Sequence, residues 1–258
     1  MRVVSLNVNG LRSALKKGLL PWLRRQDADL ICLQEVRAEP SDLPRAMTAP
    51  RGYEAHYLPA QKKGYSGVAL WSRRTPADVL RPAHWPGLLE EGRWLQVDFP
   101  GLSVVSVYFP SGSSGEHRQE AKFRFLERCE HHLSQLRKEG RELLLCGDLN
   151  IAHQKIDLEN WRGNQDHSGF LPAERAWLDR LYGELGFVDV FRRLRPEPKL
   201  YTWWSNRGRA YEKNVGWRID LQVATPGLAE TASRAEIYTR RRFSDHAPVI
   251  IDYHWPFR

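Results

Sequence analysis

Cysteine is scarce in this 258-residue sequence, and long apolar runs are absent from it. The three cysteines, Cys32, Cys129 and Cys146, exclude a disulfide framework, and their spacing matches no zinc-binding pattern. No apolar run approaches the roughly 20 residues that a membrane-spanning helix needs. Because unpaired thiols are typical of a reducing compartment, we expect a cytoplasmic protein that stays out of the membrane.

The sequence also lacks a linker, a low-complexity stretch and a block of like charge. Its 41% hydrophobic and 27% charged residues exclude a disordered chain, so we expect residues 1–258 to form a single domain. Charge is unbalanced, since 39 Lys and Arg against 31 Asp and Glu give a net +8. That excess is compatible with a polyanionic partner such as nucleic acid, and equally with ordinary solubility charge.

Short apolar runs alternate with helical patterns, which indicates an α/β fold. Many runs are apolar at nearly every position, as is typical of strands buried on both faces. We predict strands at 3–8, 29–35, 67–72, 93–99, 102–109, 142–147, 200–204, 217–224 and 248–253. We predict helices at 11–25, 116–138 and 172–185, the second with an apolar stripe of Phe123, Leu126, Cys129, Leu133 and Leu136.

Polar side chains follow or begin several of these predicted strands. Each one alone has an ordinary explanation as a turn former or a capping residue. Together they are typical of an α/β active site, because such sites gather where loops leave the sheet. These residues are Asn7, Glu35, Asp148, Asn150, Asp220, Asp245 and His246. The 151–171 segment, rich in Asn, Asp, His and Trp, is a long loop that we also interpret as functional.

Four acidic residues in that set point to a cation. Two carboxylates about 4 Å apart repel by about 4 kcal/mol at an effective dielectric constant of about 20. A cluster of Glu35, Asp148, Asp220 and Asp245 therefore needs a metal ion, a shared proton or a histidinium. Oxygen ligands with amide neighbours suit Mg²⁺ or Mn²⁺ rather than zinc. Such a centre in a basic protein is expected of an enzyme that cleaves a phosphodiester.

Eight motifs carry a resemblance to a known family. They are SLNVNG (5–10), LQEV (33–36), GYSGVAL (64–70), GDLNIAH (147–153), GNQDHSGFLPAER (163–175), YTWW (201–204), NVGWRID (214–220) and SDHAP (244–248). In this order and spacing, the chain resembles an exonuclease III family apurinic/apyrimidinic (AP) endonuclease. That family lies within the endonuclease/exonuclease/phosphatase superfamily, which also holds DNase I. The resemblance implies a DNase I-like four-layer α/β sandwich, in which two packed mixed β-sheets are flanked by helices.

The resemblance also implies roles for single residues. The metal would be held from the set Asn7, Glu35, Asp148, Asn150, Asp245 and His246. The catalytic set would be Tyr108, Asp148, Asn150, Asp220 and His246, with Asp220 holding His246 and Tyr108 stabilising a phosphate or leaving oxygen. Whether Asp148 or His246 takes the proton of the attacking water stays open, as does the number of metal ions.

A pocket for an abasic sugar is implied by the same resemblance. Trp203, Trp217 and Ile219 would wall a slot that refuses a nucleotide still carrying its base. Asn164 would contact phosphate, Gly169 would leave room for the sugar, and His167 stands where close relatives often have Asn. Arg207 belongs to a set of basic residues in predicted loops that we interpret in part as phosphate contacts.

The implied function is hydrolysis of duplex DNA 5′ to an abasic site, leaving a 3′-hydroxyl, with Mg²⁺ or Mn²⁺ as cofactor. Possible side activities are those of a 3′-phosphodiesterase, a 3′-phosphatase and a 3′→5′ exonuclease. We expect a nucleoid-associated monomer acting in base excision repair. The alternatives are a 3′-end-processing exonuclease with weak AP activity, a phosphatase of inositol phosphates or sphingomyelin, and a DNA-binding protein without activity.

Overall fold

The computed structural model describes residues 1–80 and 88–257, and two six-stranded sheets dominate it. The strands are β1 Arg2–Asn7, β2 Leu30–Gln34, β3 Glu54–Leu58, β4 Val68–Ser72, β5 Asp78–Leu80, β6 Trp94–Phe99, β7 Leu102–Tyr108, β8 Glu142–Asp148, β9 Val188–Asp189, β10 Asp220–Ala224, β11 Ala232–Ile237 and β12 Val249–Tyr253. The helices are α1 Leu11–Lys16, α2 Leu19–Gln26, α3 Arg45–Thr48, α4 Leu88–Glu91, α5 Glu116–Lys138, α6 Pro172–Gly183, α7 Val190–Leu194 and α8 Pro226–Glu230.

Both sheets are mixed. The first has the order β11-β12-β1-β2-β4-β3, and the second has the order β5-β6-β7-β8-β10-β9. One parallel pair lies at the centre of each, β1 beside β2 and β7 beside β8, and the other pairs are antiparallel. Parallel pairing at the centre places the carboxyl ends of neighbouring strands at one edge of the sheet.

Three apolar layers separate the four layers of structure. Strand alternation explains them, since Val3 of β1 and Cys32 of β2 point into the core between the sheets, whereas Val4 and Ile31 point towards α1 and α2. A third core packs α5 and α6 against the second sheet. The structure therefore confirms the expected four-layer α/β sandwich, with two packed mixed sheets flanked by helices.

The elements differ from the sequence prediction at particular places. The helix predicted at 11–25 is two helices, because Gly18 adopts a left-handed backbone between them, with φ +88°. The strand predicted at 200–204 is wrong, since Trp203 there makes only isolated bridges to Trp217 and His246. Phe123 is 36% exposed, and Lys122 and Phe125 occupy the buried side of α5 instead.

No helix within 1–80 and 88–257 combines the length and the apolar character needed to cross a bilayer.

Candidate active site

Four of the predicted site residues lie at one end of the sandwich because of strand direction. Asn7 is the last residue of β1, and Tyr108 and Asp148 are the last residues of the parallel strands β7 and β8. Tyr108 is in register with Asp148. Asp220 begins β10 and also pairs with Asp148, because β10 runs antiparallel to β8.

Glu35 and His246 reach the same end from the first sheet, which also holds Asn7. Glu35 directly follows β2, which is parallel to β1, and its backbone is left-handed, with φ 49°. His246 lies three residues before β12, which runs antiparallel to β1. A left-handed backbone at a residue other than glycine costs free energy and persists where the surroundings require it, as happens at functional sites.

The side chain of Asn7 joins two of the carboxylates. Its buried Nδ2 donates to Glu35 Oε1 and to Asp148 Oδ2, at 2.8 Å each. Its Oδ1 accepts from the Asn9 amide at 2.9 Å. The amide group therefore fixes the separation of Glu35 and Asp148 and turns its donor face towards both.

Glu35, Asp148 and His246 form a buried group that could hold a metal ion. One ligand atom from each lies within 4.8 Å of the others. The donor set fits a hard divalent cation, because two of its three members offer carboxylate oxygens. Asp220 lies beside this group, where its Oδ2 is 2.8 Å from His246 Nδ1 and its buried Oδ1 has no hydrogen-bond partner.

His246 is held between two carboxylates. Its Nδ1 lies 2.8 Å from Asp220 Oδ2, and its Nε2 lies 3.9 Å from Asp148 Oδ2. Burial opposes a charged ring, but Asp220 and then Asp148 outweigh burial and raise the pKa of His246 to about 10. The ring is therefore an imidazolium at neutral pH, with a hydrogen on both nitrogens.

The pKa of Asp148 lies above that of an ordinary surface carboxyl. Burial first, and then the charge of Asp220, raise the pKa of Asp148 to about 7, although His246 acts against them. Proton exchange near neutral pH is what a general base requires. Asn150 orients this carboxylate, because its backbone amide donates to Asp148 Oδ1 at 2.8 Å and its Nδ2 donates to the Phe109 carbonyl at 2.9 Å.

Tyr108 keeps its proton. Burial, followed by the charges of Glu35 and Asp148, raises the pKa of Tyr108 well above its usual value. The guanidinium of Arg93 lies over the Tyr108 ring, 4.7 Å from its centroid, and donates to the Tyr108 carbonyl at 3.1 Å. The Tyr108 hydroxyl is therefore a fixed hydrogen-bond donor beside the acidic group.

Asp245 lies outside the group of Glu35, Asp148 and His246. Its Oδ1 accepts from Asn9 Nδ2 at 2.8 Å and its Oδ2 accepts from Trp203 Nε1 at 3.1 Å. Burial would raise the pKa of Asp245, but the His246 charge and these hydrogen bonds lower it, so the carboxylate stays ionised. In this position it links the acidic end of the sandwich to an aromatic wall.

The aromatic wall is the rim of an open groove. The Trp203 and Trp217 rings meet edge to face at a centroid distance of 6.4 Å, and both pack against a small cluster that includes Ile219. Asn164 and Arg207 line the same groove, of about 470 Å³, with both tryptophans. The Trp203 ring also lies 6.4 Å from the His246 ring. The predicted pocket residues therefore adjoin the predicted catalytic residues.

Gly169 and His167 occupy different positions relative to this groove. A Cβ atom added at Gly169, whose φ is +97°, would lie 3.1 Å from Trp217 Cζ3 and 3.2 Å from the Asn150 carbonyl. His167 is exposed and does not line the groove. The structure thus brings Gly169 to the junction of pocket and active site, and leaves His167 on the outer surface of the loop.

Sequence reasoning missed three charged residues at this end of the molecule. Arg37 donates from Nε to Glu35 Oε2 at 3.0 Å, and its Nη2 also contacts that oxygen. Arg93 supports Tyr108, and the fully buried Lys122 donates to the Asn150 carbonyl at 2.8 Å. Of these three residues, only Lys122 was detectable from the sequence. It lies four residues before Leu126 and therefore on the same, buried side of α5.

Fold and site together define a hydrolase of the DNase I-like sandwich class. The sequence pattern of the Endonuclease/Exonuclease/phosphatase family matches residues 4–246. The chain belongs to this family.

Two named proteins and one solved structure are similar to almost the whole chain. An exodeoxyribonuclease of Bacillus subtilis (strain 168) is 37% identical over 251 residues, which cover 96% of this chain and 98% of that protein. The DNA repair nuclease APEX1 of Danio rerio is 37% identical over 254 residues, covering 97% of this chain and 81% of the relative. The structure of an AP endonuclease from Archaeoglobus fulgidus superposes with a TM-score of 0.89 at 30% identity, covering 99% and 100% of the two chains.

Proposed function

We propose that the chain is an AP endonuclease of DNA repair, which hydrolyses the phosphodiester 5′ to an abasic site in duplex DNA and leaves a 3′-hydroxyl. One observation carries the proposal. The aromatic groove adjoins the group of Glu35, Asp148 and His246, because the Trp203 ring lies 6.4 Å from the His246 ring, and the neighbouring Asp245 accepts a hydrogen bond from Trp203. Relatives named as an exodeoxyribonuclease, a DNA repair nuclease and an AP endonuclease support the same class of substrate.

Glu35 and Asp148 are the residues that we assign to the cofactor, Mg²⁺ or Mn²⁺, with Asn7 fixing their separation. A divalent ion bound there would stabilise the negative charge that builds on phosphate oxygens during hydrolysis. We assign His246 to the phosphate instead, because Asp220 engages its Nδ1 and leaves Nε2 free to donate a hydrogen bond.

We assign proton transfer and the remaining charge stabilisation during hydrolysis to side chains of the protein. Asp148 lies between Asn7 and His246 and accepts the proton of the attacking water. Asn150 keeps that carboxylate oriented. The imidazolium of His246, held by Asp220, and the Tyr108 hydroxyl donate hydrogen bonds to oxygens on which charge develops.

Substrate selection is assigned to the groove. Trp203, Trp217 and Ile219 provide an apolar wall for a sugar that lacks a base, and rotating such a nucleotide out of the duplex costs little because no base needs unpairing. Asn164 and Arg207 provide polar contacts for the flanking phosphates. The net charge of +8 favours long-range attraction of DNA.

A second activity, that of an exonuclease acting on DNA, is favoured by the similarity to the Bacillus subtilis exodeoxyribonuclease. The same phosphodiester chemistry at a recessed 3′ end requires no new residue. The two activities differ in what occupies the groove, an abasic sugar or a terminal nucleotide.

A duplex with one tetrahydrofuran abasic analogue, labelled at its 5′ end, tests the proposal. We expect nicking on the 5′ side of the analogue with Mg²⁺ and none with EDTA, and the product should be extended by a DNA polymerase. The matched duplex with an intact base should stay whole. Shortening from a recessed 3′ end without nicking would favour the exonuclease. Retardation without cleavage would favour a DNA-binding protein, and absence of any interaction would favour a phosphatase.

A further inference from the structure

A fully buried ion pair lies behind the proposed active site. Lys122 on α5 and Glu174 on α6 are both 0% exposed, and Lys122 Nζ lies 2.5 Å from Glu174 Oε1. A buried ion pair is weak evidence for stability, because removing two charges from water costs about as much as their attraction returns. Both ends of the pair also bond main-chain groups outside the two helices.

The Lys122 end of the pair contacts the strand end that carries Asp148. Lys122 Nζ donates to the Asn150 carbonyl at 2.8 Å. The backbone amide of Asn150 donates in turn to Asp148 Oδ1 at 2.8 Å, and Asn150 has a left-handed backbone with φ 52°. The ammonium group thus holds a turn whose amide fixes the carboxylate.

The Glu174 end contacts the wall of the groove. Glu174 Oε2 accepts from the Gly169 amide at 2.7 Å and from the Leu171 amide at 3.0 Å. Gly169 is the residue at which an added Cβ atom would meet both Trp217 and the Asn150 carbonyl. The Gly169 carbonyl also accepts from the Ala152 amide at 2.8 Å, which ties the loop to the segment after Asn150.

We propose that Lys122 and Glu174 form a positioning unit that sets the separation between the Asp148 strand end and the Trp217 wall. The proposal rests on the proposed function for its effect on catalysis. Neither residue touches substrate, so both act through Asn150 and Gly169. The unit is built from a charged pair because one ammonium and one carboxylate satisfy several main-chain groups in directions that apolar side chains do not.

The test uses two double variants of the full chain. Lys122→Met with Glu174→Gln removes both charges together, so no buried charge is left without its partner. Arg180→Met with Glu130→Gln is the control, because that pair also joins α6 to α5, with Arg180 Nη2 2.9 Å from Glu130 Oε2. Both variants lose an ion pair between the same helices, and only the first loses the contacts to Asn150 and Gly169.

Incision of the tetrahydrofuran duplex is measured for kcat and KM, with thermal unfolding recorded for both variants. We expect the first variant to lose at least about tenfold in kcat with a smaller change in KM, and the control to stay within about threefold of wild type. A wild-type kcat in the first variant, or equal losses in both, would overturn the proposal.

Binding of Mn²⁺ to the DNA-free protein gives a readout that does not depend on activity. We expect the first variant to bind Mn²⁺ at least about threefold more weakly than the control, because the Asp148 carboxylate loses its orientation. Failure of the wild-type protein to nick the duplex would overturn the proposed function. Equal Mn²⁺ affinities of the two variants would overturn the positioning role, whatever the outcome of the nicking assay.

Discussion

His246 Nδ1 lies 2.8 Å from Asp220 Oδ2, and this contact decides which way the imidazole faces. With Nδ1 engaged, only Nε2 is directed towards Asp148, 3.9 Å away. Asp220 and Asp148 are cross-strand partners on β10 and β8. The register of these two strands therefore sets the positions of Asp148, Asp220 and His246 relative to one another. The charge state of the ring follows from that geometry.

The first prediction concerns pH and His246. The pKa of His246 is raised from 6.5 to about 10 on folding, so the protonated ring stabilises the fold fully below about pH 6.5. That stabilisation is lost as the pH rises towards 10. In EDTA, the free energy of unfolding of wild type minus that of His246→Gln should therefore fall between pH 7.5 and pH 10, as measured by urea denaturation. A difference that is constant or grows with pH would contradict the assignment.

The second prediction separates activity from stability at Asp148. Because its pKa is raised from 3.8 to about 7, the carboxyl destabilises the metal-free fold above about pH 7 and not below about pH 3.8. Asp148→Asn should therefore raise the melting temperature in EDTA at pH 8. Incision of the abasic duplex should fall by about 10²–10⁴-fold or more, since a positioned base contributes that much. A variant that loses stability at pH 8, or keeps its incision rate, would refute the role.

Gly169 supplies the third prediction. A methyl group there would lie 3.1 Å from Trp217 Cζ3 and 3.2 Å from the Asn150 carbonyl, with φ at +97°. Gly169→Ala should therefore displace the pocket wall and weaken binding of the abasic duplex in EDTA by at least about tenfold, a loss of about 1.4 kcal/mol. Gly163→Ala is the matched control, because nothing lies within 4 Å of its added methyl group. Equal affinities of the two variants would exclude a role for this close contact.

The fourth prediction concerns salt and Arg207. If Arg207 binds a phosphate beside the groove, Arg207→Ala should reduce the slope of log affinity against log salt by about one. Arg124→Ala is the control, since Arg124 pairs with Glu120 on the exposed face of α5. Fluorescence anisotropy with the abasic duplex at several salt concentrations measures both slopes. An unchanged slope for Arg207→Ala would remove this residue from the DNA-binding surface.

The sequence predicted the central strands well, because strands such as β2 and β8 are buried on both faces and show as continuous apolar runs. It missed β3, β5, β9 and β11, the four edge strands, which have partly exposed faces and no such run. The opposite error occurs at 200–204, where a strand was predicted and the structure has only isolated bridges. The aromatic residues of this segment bury side chains around the groove instead of pairing in a ladder.

The site was predictable where polar residues interrupt apolar strands at their ends, as at Asn7 and Asp148. The pair of charged residues that supports the site was not predictable, because its two members are distant in sequence. Lys122 and Glu174 are separated by 52 residues, and nothing local to either predicts the other. Asp245 was placed among the metal ligands by resemblance, whereas its hydrogen bonds lead to Asn9 and Trp203.

The central claim is that Glu35 and Asp148 hold the divalent ion that incision requires. Single-turnover incision of the tetrahydrofuran duplex, measured against Mg²⁺ concentration, tests it in wild type, Glu35→Gln and the exposed control Glu54→Gln. We predict no incision in EDTA, and a half-saturating Mg²⁺ concentration at least about tenfold higher in Glu35→Gln than in the other two proteins. Incision that persists in EDTA, or one Mg²⁺ requirement shared by all three proteins, would contradict the account.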